Sequence, residues 1–415
     1  MIVDRRAPIL VIAFYLIFMV LGLVLTLGYS PHEAIVYNFN GDVIYHDGDA
    51  TILSNSTYTV VIEGNRSLGI GIGIDDGCRT RWGITLLGKD SSIITIIGDR
   101  AVKYDMPGIL PEPRHLACSN DTAYAWGGDI IRGAMLYTIS SEGVRGYPLY
   151  GASPGIEDLG MADEGVLVLY DSQLLIIDTG KRVYEVYNLS YSGWRIDLDL
   201  IDHYSGGTIL LGSIRKDPSR LAAFIYYPNM DGRSVEVVGK ASIAAAYNII
   251  DGRELLLVRP AGEWATLVEW RRDKGNSISI AMGDAFTLTG SGALDEGIWL
   301  GGRLLGEMKA IVYTGGSASP GIVGEGYRVV VNLEKSKNRI LVGSIHVNMT
   351  WIGSGDMGDP IHVEGSNLSL EETSVDSRIY GVYRDRVEVL LALFSISIPA
   401  GLGIYVVLTS SRPYR

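Results

Sequence analysis

The sequence predicts an all-β domain held between two membrane-spanning helices, and three observations carry that expectation. Short apolar runs that open on glycine recur at a nearly constant interval, and Gly, Asp, Asn and Pro turns separate them. Between the two long uncharged stretches near the chain ends, no segment shows a strong helical period.

The recurrence is clearest in GVLVLY (165–170), GTILLG (207–212), GRELLLV (252–258) and GIWLGG (297–302), which start 42, 45 and 45 residues apart. Extending the interval adds GITLLG from Gly83, DTAYAW from Asp121 and NRILVG from Asn338. Each unit reads as a meander. In one of them Val166 to Tyr170, Gln173 to Asp178 and Val183 to Tyr187 are parted by Asp171-Ser172 and by a Thr-Gly-Lys turn. Apolar strands cut by such turns pair antiparallel with their neighbours.

Strands grouped at a period of about 43 residues resemble the blades of a β-propeller, each typically four strands and roughly 40 to 50 residues. No W-D or kelch signature repeats, so the resemblance is architectural, to the ectodomain of a membrane-anchored surface protein of a thermophilic archaeon, and names no family. It implies about seven blades, within a range of six to eight, across residues 83–374. Tandem β-sandwiches are the alternative. YTVVIE (58–63) and IHVE (361–364) are strands outside the clearest repeats. They are expected either to close the ring together or to form a small membrane-proximal sandwich.

The ends read differently. Residues 7–28 are 22 without a charge and residues 389–408 are 20 more. Each is long enough to cross a hydrocarbon layer of about 30 Å at 1.5 Å per residue. The first exceeds the apolar core of a signal peptide and lacks an A-x-A-like cleavage site, so it is read as an uncleaved signal anchor. Arg5 and Arg6 precede it and residues 29–65 hold no Lys or Arg, which places the amino terminus inside. The expected order is a cytoplasmic start (1–6), the anchor (7–28), a membrane-proximal β segment (29–82), the repeats (83–374), a linker (375–388), a second span (389–408) and a cytoplasmic tail (409–415).

Composition agrees with an exterior domain. Six of the 13 asparagines, Asn55, Asn65, Asn120, Asn188, Asn348 and Asn367, sit in Asn-x-Ser/Thr sequons, an excess over chance, and all lie between the spans. Cys78 and Cys118 are the only cysteines, which in an oxidising compartment reads as one disulfide. Residues 29–386 carry 45 acidic against 31 basic side chains, a balance that excludes nucleic acid as a partner. A single Gln, Gln173, beside scarce Cys suits a heat-adapted source.

No motif names a catalyst. GASPG (151–155) matches G-x-S-x-G, but a nucleophile elbow needs the N–H that follows the serine, and here Pro154 has none. The motif is read as a turn between blades. SLGIGIGID alternates Gly69, Gly71 and Gly73 with isoleucines and is read as a strand rather than a phosphate loop. WRIDLDLIDH puts Asp197 and Asp199 on one strand face, read as solvated. No cofactor and no metal site is expected. The functional expectation is a non-catalytic binding or structural module at the cell membrane, with the lipid bilayer and a surface-layer, glycan or membrane-complex partner. The alternative is an ectoenzyme, a hydrolase or lyase, with an acidic site at the channel mouth.

Overall fold

A computed structural model describes residues 33–162, 165–191, 194–204, 207–216, 219–226, 234–237, 242–250, 253–260, 266–271, 277–281, 286–294, 297–304, 308–315, 340–343 and 348–381. All regular structure among them is β. No helix among the described residues is long and apolar enough to cross a membrane. The runs 7–28 and 389–408 lie outside them.

After β1 (Glu33–Tyr37) the chain builds successive up-and-down meanders. Blade 1 is β2 (Asp42–His46), β3 (Ala50–Ser54), β4 (Thr59–Glu63) and β5 (Arg66–Ile70). Blade 2 is β6 (Ile74–Thr80), β7 (Gly83–Gly88), β8 (Ile93–Ile97) and β9 (Arg100–Tyr104). Blade 3 is β10 (Pro113–Cys118), β11 (Ala123–Asp129), β12 (Gly133–Ser140) and β13 (Gly143–Leu149). Blade 4 is β14 (Asp158–Ala162), β15 (Gly165–Tyr170), β16 (Gln173–Asp178) and β17 (Val183–Tyr191). In blade 5, β18 (Trp194–Tyr204), β19 (Gly207–Lys216) and β20 (Ser219–Tyr226) pair in order, with β21 (Ser234–Val237) beside β20. Blade 6 is β22 (Ser242–Ile250), β23 (Arg253–Pro260), β24 (Thr266–Arg271) and β25 (Ser277–Ala281). Blade 7 takes β26 (Phe286–Leu294), β27 (Gly297–Leu304) and β28 (Lys309–Gly315) from the end of the series and its fourth strand, β1, from the beginning.

The first strands touch in the closed order β2, β6, β10, β14, β18, β22, β26 and back to β2. Seven sheets therefore surround one axis, a β-propeller rather than tandem sandwiches. Middle strands lie between two neighbouring blades and bury both faces, which is why they read as unbroken apolar runs: every residue of β7 after Gly83 is buried, and so is the centre of β15. Ile84, Leu86 and Ile96 pack on Ile52 and Val61 of blade 1, while Trp126 and Leu136 pack on Val166 and Val168 of blade 4. Each such aliphatic side chain contributes about 1.5–3 kcal/mol by leaving water.

The repeat seen in the sequence marks the second strand of each blade. Its glycine has a steric cause: a Cβ at Gly83 or Gly165 would run into the carbonyl oxygen of Ile96 or Ile177 on the third strand. Two sequence expectations change here. NRILVG is not a second strand, because its Ile340–Gly343 pairs with β21 at the outer edge of blade 5; the seventh second strand is β3, inside the segment 29–82. YTVVIE and IHVE do not meet, since β4 belongs to blade 1 and Ile361–Val363 pairs with β13 of blade 3.

The described strands between residues 340 and 381 form a belt. Its strands β29 (Ile340–Gly343), β30 (Asn348–Asp356), β31 (Ile361–Val363), β32 (Gly365–Leu368), β33 (Glu371–Glu372) and β34 (Ser377–Gly381) pair antiparallel with β21, β17, β13, β9, β5 and β1. They visit blades 5, 4, 3, 2, 1 and 7, the reverse of the order in which the blades were built.

β1 is hydrogen-bonded on both edges, so Val36→Pro is expected to cost about 3 kcal/mol or more and lower Tm by several degrees. Glu371→Pro in the two-residue edge strand β33 should change Tm little. Thermal melts of the two variants against the parent check this ordering.

Candidate functional site at the ring axis

The seven first strands line the axis, where strands crowd. Six of them carry a one-residue irregularity in their pairing with the second strand, at Ile44, Asp75, Arg114, Asp199, Ala245 and Thr289. Such bulges tighten local twist and re-aim side chains. In WRIDLDLIDH the register slip falls between Leu198 and Leu200, at Asp199.

Beside the bulges, polar side chains reach the next blade. Asp76 Oδ2 accepts from the Leu116 N–H at 2.9 Å, and Asp158 Oδ2 accepts from the Ile201 N–H at 2.6 Å. Thr289 Oγ1 lies 3.2 Å from both the N–H and the carbonyl of Val43, bridging blade 7 to blade 1. Asn248 Nδ2 donates to the carbonyls of Leu294 and Gly297 at 2.6 and 2.7 Å. Ser54 Oγ accepts from Ile74 N–H at 2.7 Å, and Trp126 Nε1 donates to Pro154 O at 3.4 Å. Cys78 and Cys118 form the disulfide, with Cα atoms 5.8 Å apart, and so staple β6 to β10. Cross-linking a separation of 40 residues is worth about 4 kcal/mol in the chain-entropy account.

Three titratable groups of consecutive blades, Asp76, His115 and Asp158, stand on β6, β10 and β14. Burial pushes the Asp76 carboxyl up to about 6, against the N–H donations of Leu116 and Gly77. Burial, with Arg114 adding, lowers His115, whose Nδ1 is 3.9 Å from Asp158 Oδ1. Both oxygens of Asp76 are held by backbone N–H groups, Gly77 at 2.7 Å and Leu116 at 2.9 Å, so this carboxyl positions a strand. His46 is buried on β2, 2.9 Å from Thr51 Oγ1 and edge-on to Trp299, a core histidine held below its usual range by burial.

The acidic residues that do converge lie at the end of blade 1 and escaped the sequence reading, although the Asp-Gly-Asp turn 47–49 was visible. Asp47, Asp49 and Glu63 surround Arg79 at 3.5, 3.1 and 3.7 Å. The one guanidinium holds these three carboxylates together. Among the described residues no three His, Cys, Asp or Glu side chains gather as a metal-binding group.

GASPG lies in the connection from β13 to β14, with a strand and no helix after it. Ser153 Oγ accepts from Gly155 N–H at 3.3 Å, a local turn bond. The left-handed glycine of the motif is Gly151, at φ 85°; Gly155 is required because a Cβ there would strike the Tyr170 ring. SLGIGIGID is two strands and their connection, ending β5 at Ile70 and starting β6 at Ile74. Of the sequons, Asn65, Asn120, Asn348 and Asn367 are exposed. Asn55 and Asn188 are half-buried, the first capping the N–H groups of Thr57 and Tyr58, the second bonded to Ser172.

These features define the class: a seven-bladed β-propeller with a reversed outer belt. No family model and no curated protein matches the chain. Among solved structures it is similar to the β-propeller domain of Cps50 (Swd1) from Myceliophteria thermophila, at 13% identity over 68% of this chain and 99% of that one, TM-score 0.45. It is also similar to the β-propeller domain of Nup133 from Vanderwaltozyma polyspora, at 8% identity over 66% and 82%, TM-score 0.23. The assignment rests on the closed ring of strands, not on these likenesses.

A carboxyl raised by burial binds its proton more tightly folded than unfolded, so Asp76 withdraws stability as pH rises from about 4 to about 6 and the loss persists above. Asp76→Asn should abolish that segment of decline, seen as a Tm difference from the parent that changes between pH 4 and 6.5. At the turn, Ser153→Ala should shift stability within about 0.5 kcal/mol. Gly155→Val should cost several times more, about 1–3 kcal/mol, by overpacking Tyr170. Melts of both, with a fluorophosphonate probe that should label neither, test the turn reading.

Proposed function

We propose that the chain is a membrane-anchored extracytoplasmic propeller, a non-catalytic binding or structural module displayed at the cell surface with both termini in the cytoplasm. One observation carries the reading: Glu33 pairs with Gly381 in the β1–β34 ladder, so the ring takes in and gives out its chain at one point. Four residues separate that point from the apolar run 7–28, and seven separate it from the run 389–408. Two spans leaving side by side would hold the ring by one edge, as an anchored platform requires. The axis supports the non-catalytic half of the proposal, since Asp76, Asp158, Thr289 and Asn248 are engaged in blade-to-blade hydrogen bonds. The exposed sequons Asn65, Asn120, Asn348 and Asn367 fit a glycosylated exterior. Partners of this reading are the bilayer and a surface-layer, glycan or membrane-complex component.

The test is topological. Ser30→Cys should react with an impermeant maleimide in whole cells, and Ser411→Cys only after permeabilisation. The native cysteines are paired and do not interfere. Labelling of both positions in intact cells overturns the two-span arrangement.

A further inference from the structure

We propose that the face of the ring made by blades 2 to 4, at their second-to-third-strand turns and blade-to-blade loops, docks a protein partner. That partner presents an apolar hollow rimmed by basic side chains. The inference rests on the anchored-ring reading for the direction in which this face points.

An up-and-down meander puts its first and third turns on one face of the ring, and its second turn and the loop to the next blade on the other. β1 is the fourth strand of blade 7 and runs from Tyr37 into β2 of blade 1, so Tyr37 marks the second face. Glu33 and its partner Gly381 mark the first. The chain thus enters and leaves on the first face, and the second is turned away from the tether.

Four large apolar side chains stand out on that second face: Ile109 is 78% exposed, Ile130 95%, Ile131 94% and Tyr150 67%. Register places them together. Gly127 pairs with Pro113, bringing the loop of Ile109 beside β11; Asp129 pairs with Gly133 across the isoleucine turn; and Ala134 pairs with Leu149, next to Tyr150. Arg132 ties the turn to the loop by donating to Leu110 O at 2.9 Å.

The display is rigid. Asp129 Oδ1 accepts from the N–H groups of Ile131 and Arg132 at 2.8 and 2.7 Å, and Gly133 closes the turn at φ 80°. Tyr150 is held through its carbonyl by the Tyr184 hydroxyl at 2.5 Å. The equivalent turns of blades 1, 2 and 4 are Asn55-Ser56-Thr57-Tyr58, Lys89-Asp90-Ser91-Ser92 and Asp171-Ser172, ordinary polar turns. Two β-branched apolar residues at a fixed turn tip gain nothing for folding, and an exposed apolar group rimmed by polar ones marks a contact surface.

Charge states the partner's chemistry. The loops 89–92, 105–112, 129–132, 150–157 and 171–172 hold six acids, Asp90, Asp105, Glu112, Asp129, Glu157 and Asp171, against Lys89, Arg132 and Lys103, whose ammonium near the end of β9 bridges Asp90 and Asp105 at 2.9 and 2.7 Å, so the face stays net acidic. A basic rim complements this face, whereas a second copy of it would repel. None of the six sequons falls in the loops 89–92, 105–112, 129–132 and 150–157; Asn188, bonded to Ser172, and Asn55 stand at the turns of blades 4 and 1, so the blade 3 patch itself carries no acceptor asparagine. The bilayer that holds the spans is out of reach. Residues 29–32 extend about 14 Å at most, less than the roughly 17 Å height of a five-residue strand.

The experiment uses the full-length chain in its native membrane, with p-benzoyl-phenylalanine replacing Ile131 and, as the control on the first face, Glu142. Expected is a protein adduct from position 131 and not from 142, whose cross-linked peptide carries apolar residues flanked by Lys or Arg. Ile130→Asp should reduce the adduct formed from a probe at Tyr150 about tenfold or more, with Tm unchanged, because Ile130 packs on nothing in the ring. Adducts to lipid, to a second copy of this chain, equally from 142, or none at all, each overturn the proposal. Orientation in the membrane is read separately by maleimide labelling at Ser30→Cys, which keeps failure of the anchored-ring reading distinct from failure of the docking face.

Discussion

The pairing of β1 on both its edges is the constraint on which the rest depends. Toward the axis it completes blade 7 by lying against β28, with Ala34 opposite Tyr313 and Tyr37 opposite Ala310. Away from the axis it receives β34, the last strand of the belt. Every other described blade is built from consecutive strands, so ring closure waits for residues 33–37 to meet residues 310–314. The loop entropy of that contact must be met before the interface between blades 7 and 1 repays it. The repayment is the cluster of Tyr37, Val43, Leu53, Trp299, Ala310 and Val312, together with the ion pair of Arg303 and Asp42.

The belt repeats this logic on the outside. A blade leaves its fourth strand as an open edge, and open edges invite pairing with other chains. Running strands back over blades 5, 4, 3, 2, 1 and 7 covers these edges with pieces of which five have only two to five residues and one, β30, has nine, so most offer little template themselves. Because the belt runs against the order of the blades, it ends where the ring began. That is why the first and last described strands, β1 and β34, meet at one edge and why the two faces of the ring are not equivalent.

At the axis, geometry decides what polar groups are for. Seven strands converge there, bulges relieve the crowding, and the carboxylates and amides beside them satisfy backbone groups of the neighbouring strand. A buried carboxylate that accepts two N–H bonds, as Asp76 does, is a fixed support. The places left for recognition are the turns and loops on the faces, where side chains such as those of Ile130 and Ile131 are not needed for packing.

The sequence by itself determined that this is an all-β repeat protein with strands about 43 residues apart, because a strand buried on both faces must be written as an unbroken apolar run. GVLVLY and GITLLG are such strands, and their leading glycines are forced by a third-strand carbonyl that comes too close. It also determined the pairing of Cys78 with Cys118, two cysteines having one way to join, and the misfit of GASPG to a nucleophile elbow, since Pro154 lacks an N–H. The phase of the blades was not legible, because the first strands are interrupted by bulges and carry polar residues such as Asp75, Arg114 and Thr289. Nor was the belt, whose GSNL and EE strands have no apolar period. Only the tertiary structure decided that NRILVG serves the rim, that β3 is the seventh second strand and that β1 and β34, the first and last described strands, share one edge. Each of these is a pairing between distant segments, fixed by which backbone edge remains open once the blades have formed.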